Sequence, residues 1–305
     1  MDKYTILNRL QKMYEDDVNI IQYLKGLDNK ENNSVEDIMI SYDFQAGSYV
    51  KHYFEDNEFV EAYTNKLAQT IESLNAGADS IFECGVGEAT TLVPLINKLK
   101  GNYSFIGGND ISWSRVATAK KFAQQYCRLP VDLVVGNLFE LPLSDNSVDI
   151  VYTSHSLEPN GGHEKELLEE LYRVTKKYLI LLEPAYELAS DEAKERMKKH
   201  GYITGLYNTA KELGYEIEKY ELLGISSNPL NPTGLMIIKK KQDSLGKMNA
   251  CCYYCPITKT RLDVIGNAFF SKQALLAYPI LNGVPCLVRE SAVVATKMKA
   301  FGFNG

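Results

Sequence analysis

The first seventy-five positions carry apolar residues at intervals of three and four. Ile6, Leu10 and Met13 keep that spacing, as do Phe59, Tyr63, Leu67 and Ile71, which predicts amphipathic helices around a polar loop from Asp28 to Asn33. From Ser80 the rhythm changes to short, nearly continuous apolar runs. Those at 80–84, 103–106, 131–135, 148–153, 178–182, 216–223 and 235–239 predict strands, and the stretches 89–99, 114–126, 164–175 and 191–213 predict helices. Strands that alternate with helices imply a mostly parallel sheet with helices on both faces. The expected fold is therefore an α/β, doubly wound, seven-stranded and mostly parallel sheet. An N-terminal helical cap occupies 1–75, the core 76–241 and a small C-terminal β-rich domain 250–305.

Charge marks the last of these boundaries. The 305 residues carry 33 basic and 39 acidic groups, a net charge of −6. Residues 250–305 hold Lys259, Arg261, Lys272, Arg289, Lys297 and Lys299 against Asp263 and Glu290, so that segment is +4 and the remainder −10. The run Lys239-Lys240-Lys241-Gln242-Asp243-Ser244 reads as a strand end entering a linker. An acidic main body argues against nucleic acid as a partner. No run reaches the ~18 to 20 apolar residues of a membrane helix, and the N-terminus has neither a signal-peptide core nor an Arg-rich transit pattern. A cytoplasmic protein without a membrane partner is expected. Six cysteines are too few and scattered for a disulfide scaffold, so reduced thiols are the simplest assumption.

The most informative segment is Ile81-Phe82-Glu83-Cys84-Gly85-Val86-Gly87-Glu88-Ala89. A strand ends in an acid, a glycine loop follows and a helix begins, an arrangement that lets a ligand approach backbone N–H groups. The acid discriminates among ligands, since Glu83 would repel a pyrophosphate and attract an ammonium. About 27 residues later comes Phe105-Ile106-Gly107-Gly108-Asn109-Asp110-Ile111, whose acid is placed to accept ribose hydroxyls, and after a similar interval Val135-Gly136-Asn137-Leu138. This succession resembles the class I S-adenosylmethionine-dependent methyltransferases, which have a Rossmann-like fold, over about residues 40–240. The likeness is closest to their small-molecule, quinone-biosynthesis-like branch. It implies S-adenosylmethionine as cofactor, with Glu83 near the methionine amino group, Gly85 and Gly87 beneath it, Asp110 on the ribose, Ile111 against the adenine, and Asn137 with Leu138 at the adenine edge. Ala89 departs from the third glycine of that pattern, and Asn137 stands where many relatives have aspartate.

Two further segments gain meaning from the resemblance. Ser41-Tyr42-Asp43-Phe44-Gln45 through Tyr49 looks like the motif preceding the domain, in which an aromatic residue covers the cofactor; Tyr49 and Tyr42 are candidates, and Gln45 is placed to reach the methionine carboxylate. The loop His155-Ser156-Leu157-Glu158-Pro159 should face the reacting methyl group. His155 is the candidate catalytic base, because an imidazole titrates near neutral pH, with packing beside the cofactor as the competing reading. The loop lacks the Asn-Pro-Pro-Tyr or Asp-Pro-Pro-Tyr sequence of the family's amino-methylating enzymes.

Residues 250–295 resemble the zinc-ribbon-like activator subunits of certain RNA and protein methyltransferases. Cys252-x-x-Cys255 has the spacing of half a tetrahedral zinc site. The second half is missing, with Ser271 where a thiolate would be expected and only Cys251 and Cys286 left over, so the expectation is a metal-free domain. The function expected is methyl transfer to a small-molecule acceptor, with homodimerisation open. The alternatives are a tRNA or translation-protein acceptor recruited by the basic tail, and a non-catalytic cofactor-binding scaffold.

Overall fold

The computed structural model of the protein describes residues 2–28, 32–241, 252–298 and 300. Cys251 and the linker positions 242–244 lie outside them. Five helices come first: α1 (Leu7–Glu15), α2 (Ile20–Leu27), α3 (Val35–Phe44), α4 (Ser48–Glu55) and α5 (Asn57–Ser73). Local chemistry sets their starts. Asn19 accepts the Gln22 N–H at the head of α2, and Ser34 with Asp37 forms a reciprocal capping box at the head of α3. Leu10, Ile20, Leu24 and Ile40 make a small core among α1–α3, whereas Tyr63, Leu67 and Ile71 of α5 join the core beneath the sheet.

The sheet consists of β1 (Ser80–Cys84), β2 (Phe105–Asp110), β3 (Asp132–Val135), β4 (Val148–Ser154), β5 (Thr175–Pro184), β6 (Glu216–Leu222) and β7 (Thr233–Lys239). Their order is β3-β2-β1-β4-β5-β7-β6, with β7 antiparallel to both its neighbours and the other pairs parallel. Between them run α6 (Leu92–Lys98), α7 (Trp113–Tyr126), α8 (Glu164–Val174), α9 (Asp191–His200) and α10 (Leu206–Glu212). β1 lies between β2 and β4, so the winding reverses there and opens a crevice beyond the carboxyl ends of the strands.

Three boundaries differ from expectation, each for a backbone reason. The predicted helix 191–213 is two helices, because Gly201 takes a left-handed conformation (φ 68°) and ends α9. Helix α6 begins three residues later than expected, after Ala89 at φ 61°. Strand β2 continues through Gly107 and Gly108, where a Cβ would come within 2.8 Å of the Phe82 ring and of Val86. Close approach, and not a turn, accounts for those glycines.

The C-terminal residues form an antiparallel sheet of β8 (Asp263–Ile265), β9 (Ala268–Ser271), β10 (Leu276–Leu281), β11 (Val284–Pro285) and β12 (Val293–Val294). It closes the edge of the main sheet. Cys286 bridges Val135 in parallel, and the Leu287 N–H donates to the Val135 carbonyl at 2.8 Å. Val134 packs with Cys255, Leu262, Tyr278 and Leu287 in one apolar cluster, while Val284, Cys286 and Val288 join the core of the main sheet. An otherwise bare edge strand is thereby covered.

Candidate active site

The glycine loop after β1 is held open by its neighbours. Gly85 and Gly87 have φ of 75° and 52°, and the N–H groups of Gly85 and Val86 both donate to the Asn109 carbonyl. Glu88, fully buried, accepts the N–H groups of Gly47 and Val50 at 2.8 and 2.7 Å, which pins the start of α4 to the loop. Asp43 at the end of α3 accepts from the Ser112 hydroxyl and from the Ser114 N–H and hydroxyl, tying the cap to the start of α7. Through these contacts the N-terminal helices form one wall of the crevice.

The crevice holds a cavity of about 340 Å³, within the usual range for small-molecule sites. It brings together Tyr49, Glu83, Gly85, Gly87, Asp110, Ile111, Asn137, Leu138 and His155, with Tyr42 beside them. Gln45 lines a neighbouring cavity instead, its side-chain oxygen accepting from Arg115. All residues lining the main cavity lie between Val35 and Thr233, so the C-terminal sheet contributes none.

Buried acids give the cavity its electrostatic character. Glu83, 2% exposed, accepts the Tyr152 hydroxyl at 2.8 Å. Its pKa stands at about 8, raised chiefly by burial and also by the charge of Asp110, while the Tyr152 bond opposes. Asp110 is also raised by burial, against the pull of Arg115 and of the Ser112 and Gly87 N–H groups, which it accepts at 2.9 and 3.0 Å. Glu183, at the end of β5, is lifted to about 7 by burial; it accepts the N–H groups of Ser156 and Leu157 and so shapes the loop after β4. Glu83 and Asp110, two carboxyls that line the cavity and resist ionisation, would be relieved by a cationic ligand.

His155 stands at φ 52° with both ring nitrogens engaged, Nδ1 with Glu158 Oε2 at 2.8 Å and Nε2 with Thr233 Oγ1 at 2.7 Å. Burial lowers its pKa, but the Glu158 hydrogen bond and charge outweigh that and leave it raised. Glu158 is lowered in turn, because His155 and Asn231 overcome the cost of its burial.

Arg115 is the residue that sequence reasoning missed. Its guanidinium, 4% exposed, stacks over the Tyr42 and Tyr49 rings at 4.5 and 4.3 Å and donates to the Tyr42 carbonyl and Gln45 Oε1. The signal was present: Arg115 shares the buried face of α7 with Ala119, Phe122 and Ala123, an odd place for a cation. Glu88 and Glu183 carried no such signal, since their partners lie 26 to 41 residues away. As for the C-terminal cysteines, Cys255 Sγ lies 3.3 Å from the Tyr278 hydroxyl and Cys286 Sγ 3.7 Å from the Val284 carbonyl. No group of three or more metal-binding side chains occurs among the described residues.

Residues 81–178 match the family model of a methyltransferase domain. No curated protein sequence matches the chain. Among solved structures, the magnesium protoporphyrin IX methyltransferase of Synechocystis PCC 6803, with bound SAH, superposes at a TM-score of 0.50 with 14% identity, covering 66% of this chain and 99% of that one. A putative sarcosine dimethylglycine methyltransferase from Galdieria sulphuraria superposes at 0.48 with 16% identity, covering 59% and 85%. The first likeness establishes the fold. No described helix is long and apolar enough to cross a membrane. Residues 81–178 thus match a methyltransferase domain, and the chain has a Rossmann-like methyltransferase fold.

Proposed function

We propose that the protein transfers the methyl group of S-adenosylmethionine to a small-molecule acceptor. One observation carries the reading: Glu83 and Asp110, at the carboxyl ends of adjacent parallel strands, face one cavity across the Gly85/Gly87 loop. Bound there, the cofactor supplies an activated methyl on a sulfonium. Ionised Glu83 would pair with the ammonium, Asp110 would accept from the ribose with its remaining lone pairs, Ile111 would pack on the adenine, and Asn137 and Leu138 would border its edge. Tyr49 closes the site from the cap side, over Gly87.

The acceptor is activated by His155. With Glu158 holding the proton on Nδ1, Nε2 is an acceptor, and the Thr233 hydroxyl occupies the place from which an acceptor hydroxyl would donate. An acceptor taking the place of that hydrogen bond would give its proton to Nε2 while the walls exclude water; the cofactor would supply the methyl, its sulfur–methyl bond breaking as the new bond forms and the sulfur leaving as a neutral thioether.

Two features favour a small acceptor and the small-molecule, quinone-biosynthesis-like branch over a nucleic acid. The loop after β4 lacks the tetrapeptide of the amino-methylating enzymes. In the C-terminal segment, Lys259, Lys272 and Arg289 pair with Glu170, Asp263 and Glu140, so half of its six basic residues are neutralised within the chain. We assign that segment, 250–305, the task of covering β3 as a built-in counterpart of an activator subunit. Incubating the protein with methyl-labelled cofactor and fractionated cell extract tests the reading: label entering a metabolite supports it, whereas label in RNA or protein alone refutes the small-molecule acceptor. In calorimetry, D110A should weaken S-adenosylhomocysteine binding by about 1.5 to 3 kcal/mol, the scale for a hydrogen bond to a charged group.

A further inference from the structure

A second cavity, of about 580 Å³, lies between α2, α3, α9 and the loop after β4. It shares the Tyr42 wall with the first, and Glu158, the partner of His155, lines it. Three basic side chains face it: Lys25 from α2, and Arg196 and His200 from α9. Among the described residues none of the three has an ion-pair partner, and Arg196 Nη1 is buried without a hydrogen-bond acceptor. The Arg196 guanidinium rests on the Tyr202 ring at 5.6 Å, and the His200 ring lies 5.4 Å from the same ring. Burial and the nearby charges of Arg196, Lys199 and Lys25 hold His200 below the ordinary histidine pKa, as expected where positive charge is concentrated.

Two carboxylates also line the cavity; Glu158 offsets part of the charge at His200 without outweighing it. Glu158 is taken up by His155 at 2.8 Å and by Asn231 Nδ2 at 2.9 Å. Asp17 is an exposed residue of the turn after α1. Uncompensated cations that are half-buried around a polar cavity are costly unless an anion joins them.

We infer that this cavity is the anchoring end of the acceptor site and takes a carboxylate or phosphate of the molecule to be methylated. The inference rests on the methyl-transfer reading for its purpose, though not for its chemistry. An acceptor with its anion among Lys25, Arg196 and His200 would pass along Tyr42 and present its other end at His155. A neutral or cationic acceptor would leave the cluster unpaired, so the cations select for charge as well as hold position.

Inorganic phosphate and glucuronate are the two probes, each titrated into the full-length protein by thermal shift and calorimetry, with and without S-adenosylhomocysteine. At least one should bind saturably, and its identity separates phosphate from carboxylate. The K25Q/R196Q double variant should weaken that binding about tenfold or more, the loss expected for removing charged hydrogen-bond donors. R196K, which keeps the charge, should stay close to wild type and so shows that the loss is not misfolding. S-adenosylhomocysteine affinity should be unchanged within twofold in all variants. Failure of both anions to bind, or equal binding by the double variant, overturns the inference. Absence of S-adenosylhomocysteine binding in the wild type would overturn the cofactor reading instead, while the phosphate and glucuronate titrations still decide the anion site.

Discussion

Glu83 provides the sharpest test, because its burial and its proposed task oppose each other. Without a ligand, the carboxyl is 2% exposed and its pKa stands at about 8 against an ordinary 4.5. The native state therefore binds more protons than the unfolded chain between those values, and stability falls as pH rises across the window. By pH 7.5 the loss is on the order of 4 kcal/mol, at 1.36 kcal/mol per pH unit. An ammonium placed against Glu83 restores the ionised form, so binding releases a proton. Affinity for S-adenosylhomocysteine should then rise with pH from 6 to 7.5, nearly tenfold over the first unit and about 25-fold in all. In E83Q the slope should vanish, affinity at pH 7.5 should drop about 10- to 150-fold, and the unliganded protein should melt higher than wild type at pH 7.5 but not at pH 5. Calorimetry across buffers of different ionisation enthalpy would count the proton directly. A flat pH dependence in the wild type, or E83Q binding as tightly as wild type, would refute the argument.

If His155 is the base, H155A should lower turnover by about 10² to 10⁴ with cofactor affinity nearly intact; wild-type turnover should rise with pH through a value above the ordinary histidine pKa of 6.5, as the imidazole must be neutral to act. Survival of activity within a fewfold would reduce His155 to a packing role. G85A introduces a Cβ within 2.7 Å of Ser156 Oγ, and closer still to its Cβ, on a backbone at φ 75°; cofactor affinity should be lost in calorimetry, whereas the open surroundings of Gly214 make G214A a control that costs only backbone strain. Ending the chain after Lys241 uncovers Val134 and the β3 edge, so the truncated protein should melt lower and associate in light scattering. An unchanged, monomeric truncated protein would show that the C-terminal sheet is dispensable for the core.

The alternation of apolar runs and helical stretches, read from the chain alone, determined the sheet, its mostly parallel sense and the place of the glycine loop, because strand and helix periods are local properties. The resemblance of the motifs supplied the cavity residues from Tyr49 to His155, of which those from Glu83 onward lie at or just beyond the ends of strands whose position the pattern reveals, whereas Tyr49 lies on α4. Tertiary structure decided what depends on partners far away in sequence. Glu88 bonds to residues near 50, Glu183 to the loop at 156–157, and the C-terminal sheet to β3, with no local mark of any of these pairings. The cluster of Lys25, Arg196 and His200 was equally invisible, because α2 and α9 meet only in the fold. Charge states followed the same division: an acid's identity is written in the sequence, but its pKa is set by the water and charges that packing removes or brings near.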